Sequence, residues 1–164
     1  MNQDIDLKDI RALPRYHSET ITTEYLDIMG HMNVRWYIAL FSRAVTGLFN
    51  EIGMTEDYFA PGKAGSFALR QFVNYLAEVR LGEDVSIHTR LVDNSEKRIH
   101  LVHFMVNESR QVLSATMEAL ISHADLSLRK TSPFPPGIAR EIESLVSVSR
   151  DLDWAPPLCG AIEA

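Results

Sequence analysis

The sequence is short of several things, and each shortage removes a class of protein. It holds a single cysteine, Cys159, so no internal disulfide can form and a reducing compartment suits it; a cytoplasmic location is expected. It has no apolar run of the roughly twenty residues that a membrane-spanning helix needs. Its opening residues, Met-Asn-Gln-Asp-Ile-Asp-Leu-Lys-Asp-Ile, are acidic and lack the apolar block of a signal peptide. Basic residues are outnumbered, with 16 Lys and Arg against 22 Asp and Glu and a formal net charge of −6. A general nucleic-acid binder needs a basic face, so no nucleic-acid partner is expected. A phosphorylated ligand held by a local pair of cations remains open. No His, Cys, Asp and Glu cluster at metal-ligand spacing, and His100 and His103 fall on opposite faces of one strand. No metal and no cofactor are therefore expected. Gly62-Lys63-Ala64-Gly65 is too short for a phosphate-cradling loop, and the serines lack the context of a nucleophile elbow.

What is present is ordinary in bulk and unusual in one place. The 164 residues suit one domain, with 46% apolar and 23% charged residues. A chain of this size buries about two thirds of its unfolded surface and needs no staple. The unusual place is Thr23 to Gly53, where a polar, glycine-containing turn runs into the most amphipathic segment of the chain. Tyr37, Leu40, Phe41, Ala44, Val45, Leu48, Phe49 and Ile52 follow the spacing of a helix with one buried stripe. Asn33 suits the N-cap and Gly53 the stop, which gives a helix ~30 Å long. Gly47 inside it costs roughly 1 kcal/mol relative to alanine and marks a close backbone approach. Asp27 sits just before this helix, whose first N–H groups are unpaired and carry the positive dipole end. A carboxylate beside such an end could attack and activate a carbonyl. Asp27 as a simple turn or cap residue is the other reading.

Beyond the helix, residues 54–65 read as a loop around Pro61, Gly62 and Gly65. Period-two patterns then run through Ser66–Val79 and Val85–Leu91; Ile99–Val106, apolar on both faces, reads as a central strand and Val112–His123 as the last, and the short turns between them predict an antiparallel meander. With a first strand over Tyr16–Thr23, the sheet has five strands. Ser132 to Gly137 breaks the pattern, and Ile138, Ile142, Leu145 and Val146 space as a short helix. The expected organisation is an arm over residues 1–14, a domain over 15–130, and a helix with an irregular tail over 131–164. One helix cannot cover both faces of such a sheet, so a homo-oligomer is expected, a dimer or a tetramer.

The run Asp27-Ile28-Met29-Gly30-His31-Met32-Asn33, feeding Tyr37 and the long helix, resembles the signature of hot-dog-fold acyl-CoA thioesterases of the 4-hydroxybenzoyl-CoA thioesterase class. Ala115-Thr116-Met117-Glu118 with His123-Ala124-Asp125, and the proline-rich stretch that follows, are most similar to the subgroup of betainyl-CoA thioesterases. The resemblance covers Tyr16 to Asp125. It implies an α+β hot-dog fold, a five-stranded antiparallel sheet wrapped around one long helix, and hydrolysis of a small or medium acyl-CoA, betainyl-CoA-like in the subgroup. It implies that Asp27 acts as nucleophile or general base, and that the helix N-terminus at Met32 and Asn33 polarises the carbonyl. The sequence departs from the family where relatives carry a further acidic residue, here Tyr25, and a histidine, here Val34. A non-catalytic hot-dog protein that binds acyl-CoA is the alternative. Hydratases of the same fold are disfavoured, because Met32 stands where they carry a histidine.

The remaining candidates each have two readings. Gly30 and His31 belong to the turn and border the substrate, and His31 either contacts it or fixes the turn. Trp36, Tyr37, Tyr58 and Phe59 line an acyl pocket, a cation-holding one in the betainyl case, or fill the core and anchor the loop. Glu118, on a strand expected to be buried, needs a partner; it is either an acid that supports the site from behind or, as expected here, one half of a structural ion pair with an arginine. Lys97-Arg98 and Arg129-Lys130 hold coenzyme A phosphates or are solvated edge charges.

Overall fold

The turn chemistry and the period changes of the chain set the element order directly. The computed structural model describes residues 5–164. Helix α1 (Leu7–Arg11) starts at Asp6, whose side chain accepts from the Lys8 N–H, and leads into strand β1 (Arg15–Thr20). A single 3-10 turn, Thr23–Tyr25, precedes helix α2 (Val34–Glu51). A short helix α3 (Glu56–Phe59) lies inside the expected loop. Strands β2 (Ala64–Tyr75), β3 (Asp84–Asn94), β4 (Arg98–Asn107) and β5 (Val112–Asp125) follow, then the two-residue β6 (Lys130–Thr131) and helix α4 (Pro136–Arg150). No helix among the described residues is long and apolar enough to cross a membrane.

The long helix has the ends its sequence asks for. Asn33 Oδ1 accepts the Arg35 N–H at 3.1 Å, and Gly53 takes a φ of +88°, the left-handed conformation that favours glycine. At Gly47 a side chain would put its Cβ 2.7 Å from the Tyr16 carbonyl oxygen, so the helix lies against β1 where no other residue fits.

The sheet order is β1-β3-β4-β5-β2, with β6 paired to the end of β5. The strands from β3 to β5 form the expected meander, but β2 does not pair with β3; it lies beside β5 on the far edge. The physical reason lies in residues 76–83. The N–H groups of Leu76 and Ala77 both donate to the Ser114 carbonyl, which ends the β2 ladder at Tyr75 rather than Val79. The chain then pairs with the loop before α2: Val79 O accepts the Met32 N–H at 2.7 Å, and Arg80 bridges His31. The Gly82 turn that reads as a hairpin therefore enters β3 from this crossover. Strand β4 is buried on both faces from Ile99 to Asn107, as its continuous apolar run requires.

Two compact units make up the described chain. The first holds the residues up to Gly47 with Val73–Thr89 and His103–Met117; the second holds Leu48–Phe72, Arg90–Val102 and Glu118–Ala164. Residues 5–14 of the expected N-terminal arm are packed within the first unit, and residues 1–4 lie outside the described residues. Ile10 is fully buried and Arg11 bonds Glu108 and Gln111 at 2.6 and 2.8 Å. The expected irregular tail is packed within the second. Ile162 is buried, Arg70 donates to the Ala161 carbonyl, and the Arg90 guanidinium lies 4.4 Å from the Trp154 ring centroid. The boundary expected at residue 130 falls inside β6, whose pairing with β5 joins the two sides of it.

Candidate active site

Asp27 is fixed by a closed loop. Leu26 and Met32 form an antiparallel bridge, the Asp27 N–H donates to the His31 carbonyl at 3.0 Å, and the Gly30 N–H donates to the Asp27 carbonyl at 3.1 Å. Gly30 takes a φ of +83°, which lets the chain reverse here. The carboxylate is divided in its duties. Oδ1 accepts the Met29 N–H at 2.8 Å, the Asx turn expected of Asp27 as a turn residue. Oδ2 lies 3.6 Å from His31 Nδ1. Ile28 and Met29 at the loop tip stand fully in solvent, at 102% and 70% exposure, an unusual position for apolar side chains.

The entrance of α2 follows at once. The amide of Met32 donates to Val79 O at 2.7 Å and that of Asn33 to Tyr25 O at 2.9 Å, so both are committed within the chain. Arg35 and Trp36 donate to the side chain and the carbonyl of Asn33. The Val34 N–H has no acceptor among the described residues, and Val34 itself is 59% exposed. Val34, the next residue after the two that the resemblance implies, thus offers a free donor at the positive end of the helix.

A cavity of about 250 Å³ opens at this entrance, lined by His31, Met32, Val34, Tyr37, Tyr75, Leu76, Ala77 and Glu78. Tyr37 is buried, and its ring meets Tyr75 edge-on at 5.1 Å. Burial pushes the Tyr37 phenol up to about 12, against a hydrogen bond from the Val79 backbone that lowers it. Tyr37 is therefore a neutral wall. Trp36 is turned to other work: its indole N–H donates to Glu24 O at 3.1 Å, its ring lies 4.6 Å from Tyr25, and the Arg35 guanidinium sits 5.2 Å from its centroid.

The other sequence candidates lie in the second unit. Tyr58 donates to or accepts from His123 Nε2 at 2.7 Å, and Phe59 packs near Phe49 at 6.1 Å, so these two side chains tie α3 to its neighbours. His123 Nδ1 meets both the carbonyl and the hydroxyl of Ser132 at 3.0 Å. Burial raises the Tyr58 phenol. Lys97 lies 3.3 Å from Glu96, and Arg98 borders a cavity of about 350 Å³ with Arg70 and Glu163. Arg129 takes a φ of +53° in the turn before β6, which holds Lys130.

Glu118 corrects one expectation: its partner is His100, not an arginine. Oε1 lies 2.8 Å from His100 Nε2, and Oε2 accepts the Cys159 N–H at 2.6 Å. His103, on the opposite face, stacks on Phe41 at 5.7 Å and meets Thr89 Oγ1 at 2.7 Å. Among the described residues no group of three or more His, Cys, Asp and Glu could hold a metal ion. Tyr75 and the free Val34 amide are the site features that sequence reasoning missed. Tyr75 stood in an alternating strand with no mark of its own, and Val34 was noted only as an absent histidine.

The model of the thioesterase-like superfamily matches residues 21–142, from just after β1 into α4. The chain belongs to the thioesterase-like superfamily. This superfamily member is 30% identical over 131 residues to an L-carnitine dehydrogenase/betainyl-CoA thioesterase of Agrobacterium fabrum; the match covers 80% of this chain but 27% of that protein. So the chain spans about a quarter of that relative's length. It is 26% identical over 132 residues to a betainyl-CoA thioesterase of Pseudomonas aeruginosa, covering 80% of this chain and 83% of that one. Among solved structures, a Staphylococcus aureus protein in complex with CoA superposes with a TM-score of 0.82 at 24% identity, over 93% of this chain and 96% of the other. That likeness shows that this thioesterase-like chain has the hot-dog fold.

Proposed function

We propose that the protein hydrolyses an acyl-CoA thioester at Asp27. The observation that carries this reading is the divided carboxylate: Oδ1 is tied to the Met29 N–H while Oδ2 is left beside His31, in the loop that ends at the unpaired Val34 N–H. One oxygen holds the geometry and the other is available for chemistry. The Val34 N–H donates to the thioester oxygen as negative charge develops there, in the role of an oxyanion-hole donor. Oδ2 attacks the carbonyl carbon or takes the proton of a water that does so. In either course the C–S bond breaks and coenzyme A leaves as its thiolate, which is a good leaving group and needs no strong acid. With Asp27 as nucleophile, water then cleaves the acyl-aspartyl anhydride. The CoA bound in the Staphylococcus neighbour and the betainyl-CoA thioesterase names of the two relatives support the substrate class. A small acyl group matches the cavity beside Val34.

The test is a panel of acyl-CoA esters, neutral and cationic, assayed for free thiol. Release of thiol from at least one ester, saturable and proportional to enzyme, is expected. Binding of acyl-CoA without any release across the panel would replace the hydrolase by a binding protein.

A further inference from the structure

The crossover of residues 76–83 is held by a polar cluster that takes no direct part in the hydrolysis. Asn107, the last residue of β4, is fully buried, and a buried amide is costly unless its donors and its acceptor are met. Its Nδ2 donates to Glu83 Oε2 at 2.7 Å, and its Oδ1 accepts the Arg110 N–H at 3.0 Å. Glu83 stands at the end of the crossover, where its backbone is fixed. The Ile21 N–H donates to the Glu83 carbonyl at 2.9 Å, and the Gly82 N–H donates to the Ile21 carbonyl at 2.7 Å. From there the Glu83 side chain reaches back along the chain, and Oε2 also accepts the Arg80 N–H at 2.8 Å. The Glu83 N–H donates to the Arg80 carbonyl at 3.2 Å, which closes a ring between the two residues. Arg110 completes the frame: Nη1 donates to the Glu78 carbonyl at 3.1 Å, and Nε lies 3.9 Å from Glu83 Oε1. All of these residues belong to the first unit, as the Asp27 loop does.

What the cluster holds in turn holds the site. Val79 and Arg80 fasten the Asp27 loop from outside it: Val79 O accepts the Met32 N–H at 2.7 Å, and Arg80 bridges His31. His31 faces Asp27 Oδ2 at 3.6 Å, and Met32 leads directly to the free donor at Val34. We propose that Glu83, clamped by Asn107 and Arg110, is a positioning residue of the hydrolase. By holding the Arg80 amide it fixes the crossover, and through the crossover it fixes the Asp27 carboxylate relative to the Val34 N–H. The inference rests on the hydrolase reading for the use of those two groups. Glu83 touches no reacting atom; it acts through the backbone of Val79 and Arg80. A misplacement of about 1 Å between reacting groups costs on the order of 100-fold in rate, even when its origin lies outside the chemistry. Loosening the crossover therefore slows turnover more than it weakens substrate binding.

The experiment sets Glu83→Ala beside Glu83→Gln with two readouts. Steady-state thiol release from an acyl-CoA ester gives kcat and KM, and amide hydrogen exchange followed by NMR reads the Met32 N–H itself. Alanine removes the acceptor, whereas glutamine keeps an oxygen for the Arg80 and Asn107 donors. In Glu83→Ala, kcat should fall at least ~10-fold with KM held within ~3-fold. Exchange at Met32 should quicken at least ~10-fold while the central amides of β4 stay protected. Glu83→Gln should keep kcat and Met32 exchange within ~3-fold of wild type. If Glu83→Ala does not stay folded at the assay temperature, Glu83→Asp replaces it; this variant keeps the charge but withdraws it by one methylene, and kcat should fall at least ~5-fold. A kcat lowered by less than ~3-fold in the alanine variant, a rise in KM alone, or a glutamine variant as slow as alanine would each overturn the proposal. Absence of thiol release from the wild type would remove the hydrolase reading instead. Met32 exchange then still decides for Glu83: quickened in Glu83→Ala, it keeps Glu83 as the post of the loop, and unchanged, it removes it.

Discussion

His103 is a histidine kept neutral by its surroundings. It is fully buried, stacks on Phe41, bonds Thr89 through Nδ1, and leaves Nε2 without a partner. Burial lowers its pKa to about 3 from the ordinary 6.5. A depressed value means that the unfolded chain binds the proton first. The stability is complete above pH 6.5 and is lost as pH falls toward 3. The loss at pH 5 is roughly 2 kcal/mol by linkage. Denaturant unfolding of wild type and His103→Leu between pH 7.5 and pH 5 should show a shallower decline in the variant by about that amount. Parallel declines would mean that His103 is protonated without cost. Glu118 makes the second residue-scale case. It is 2% exposed and shared between His100 and the Cys159 amide, so Glu118→Ala strands two buried polar groups. A destabilisation of about 3 kcal/mol is expected in thermal or denaturant unfolding, with a faster reaction of Cys159 toward a thiol reagent as the tail loosens.

Helix α2 is the element through which the sequence reads most clearly. Its stripe, the Asn33 cap and the Gly53 stop are all local patterns, and each is found where the sequence puts it. The close approach at Gly47 was legible for the same reason, since glycine in a helix interior needs a cause. Gly47→Ala gains up to about 1 kcal/mol of helix propensity but forces the β1 backbone at Tyr16 to move, which costs ~1–3 kcal/mol. A net loss of stability is the expected outcome, and a rise in melting temperature would show that β1 yields freely. What the sequence hides is long-range pairing. The turn at Gly82 looks like a hairpin because turn chemistry is local. The competing partner of residues 76–80, the loop at His31 and Met32, is some fifty positions away. The same limit explains the site. Asp27 is marked by its own motif, whereas the cavity wall at Tyr75 and Glu78 is made by that crossover and carries no local sign. The free donor at Val34 could be found only by following each neighbouring amide to its acceptor.

At the scale of the molecule, the two sheet edges differ in kind. Strand β1 is short and polar, with Arg15, His17 and Glu19 along it, and such an edge resists further pairing. Strand β2 is long and carries Phe67, Leu69, Phe72 and Tyr75 at 40–50% exposure, with Leu76 just beyond. A twelve-residue edge left open, with these apolar side chains exposed along it, is an invitation to another strand, and the simplest partner is a second copy of itself. A homodimer joined through β2 is the expected state, and it would bring a second chain toward Tyr75 and the exposed loop tip at Ile28 and Met29. Sedimentation at micromolar concentration should show a dimer or a multiple of it, and Phe72→Lys should shift the distribution toward monomer. A wild-type protein that remains monomeric at that concentration would reject this assembly.

Hydrolysis at Asp27 is decided most directly by the Asp27→Asn substitution. Asparagine keeps the size of the side chain and an oxygen for the Met29 N–H, but removes the charge and the basicity of the group beside His31. Thiol release from the best acyl-CoA ester should fall at least ~100-fold, while the melting temperature and the affinity for a non-hydrolysable acyl-CoA thioether stay close to wild type. Turnover near the wild-type rate in a folded Asp27→Asn protein would contradict the assignment and leave Asp27 as a turn residue alone.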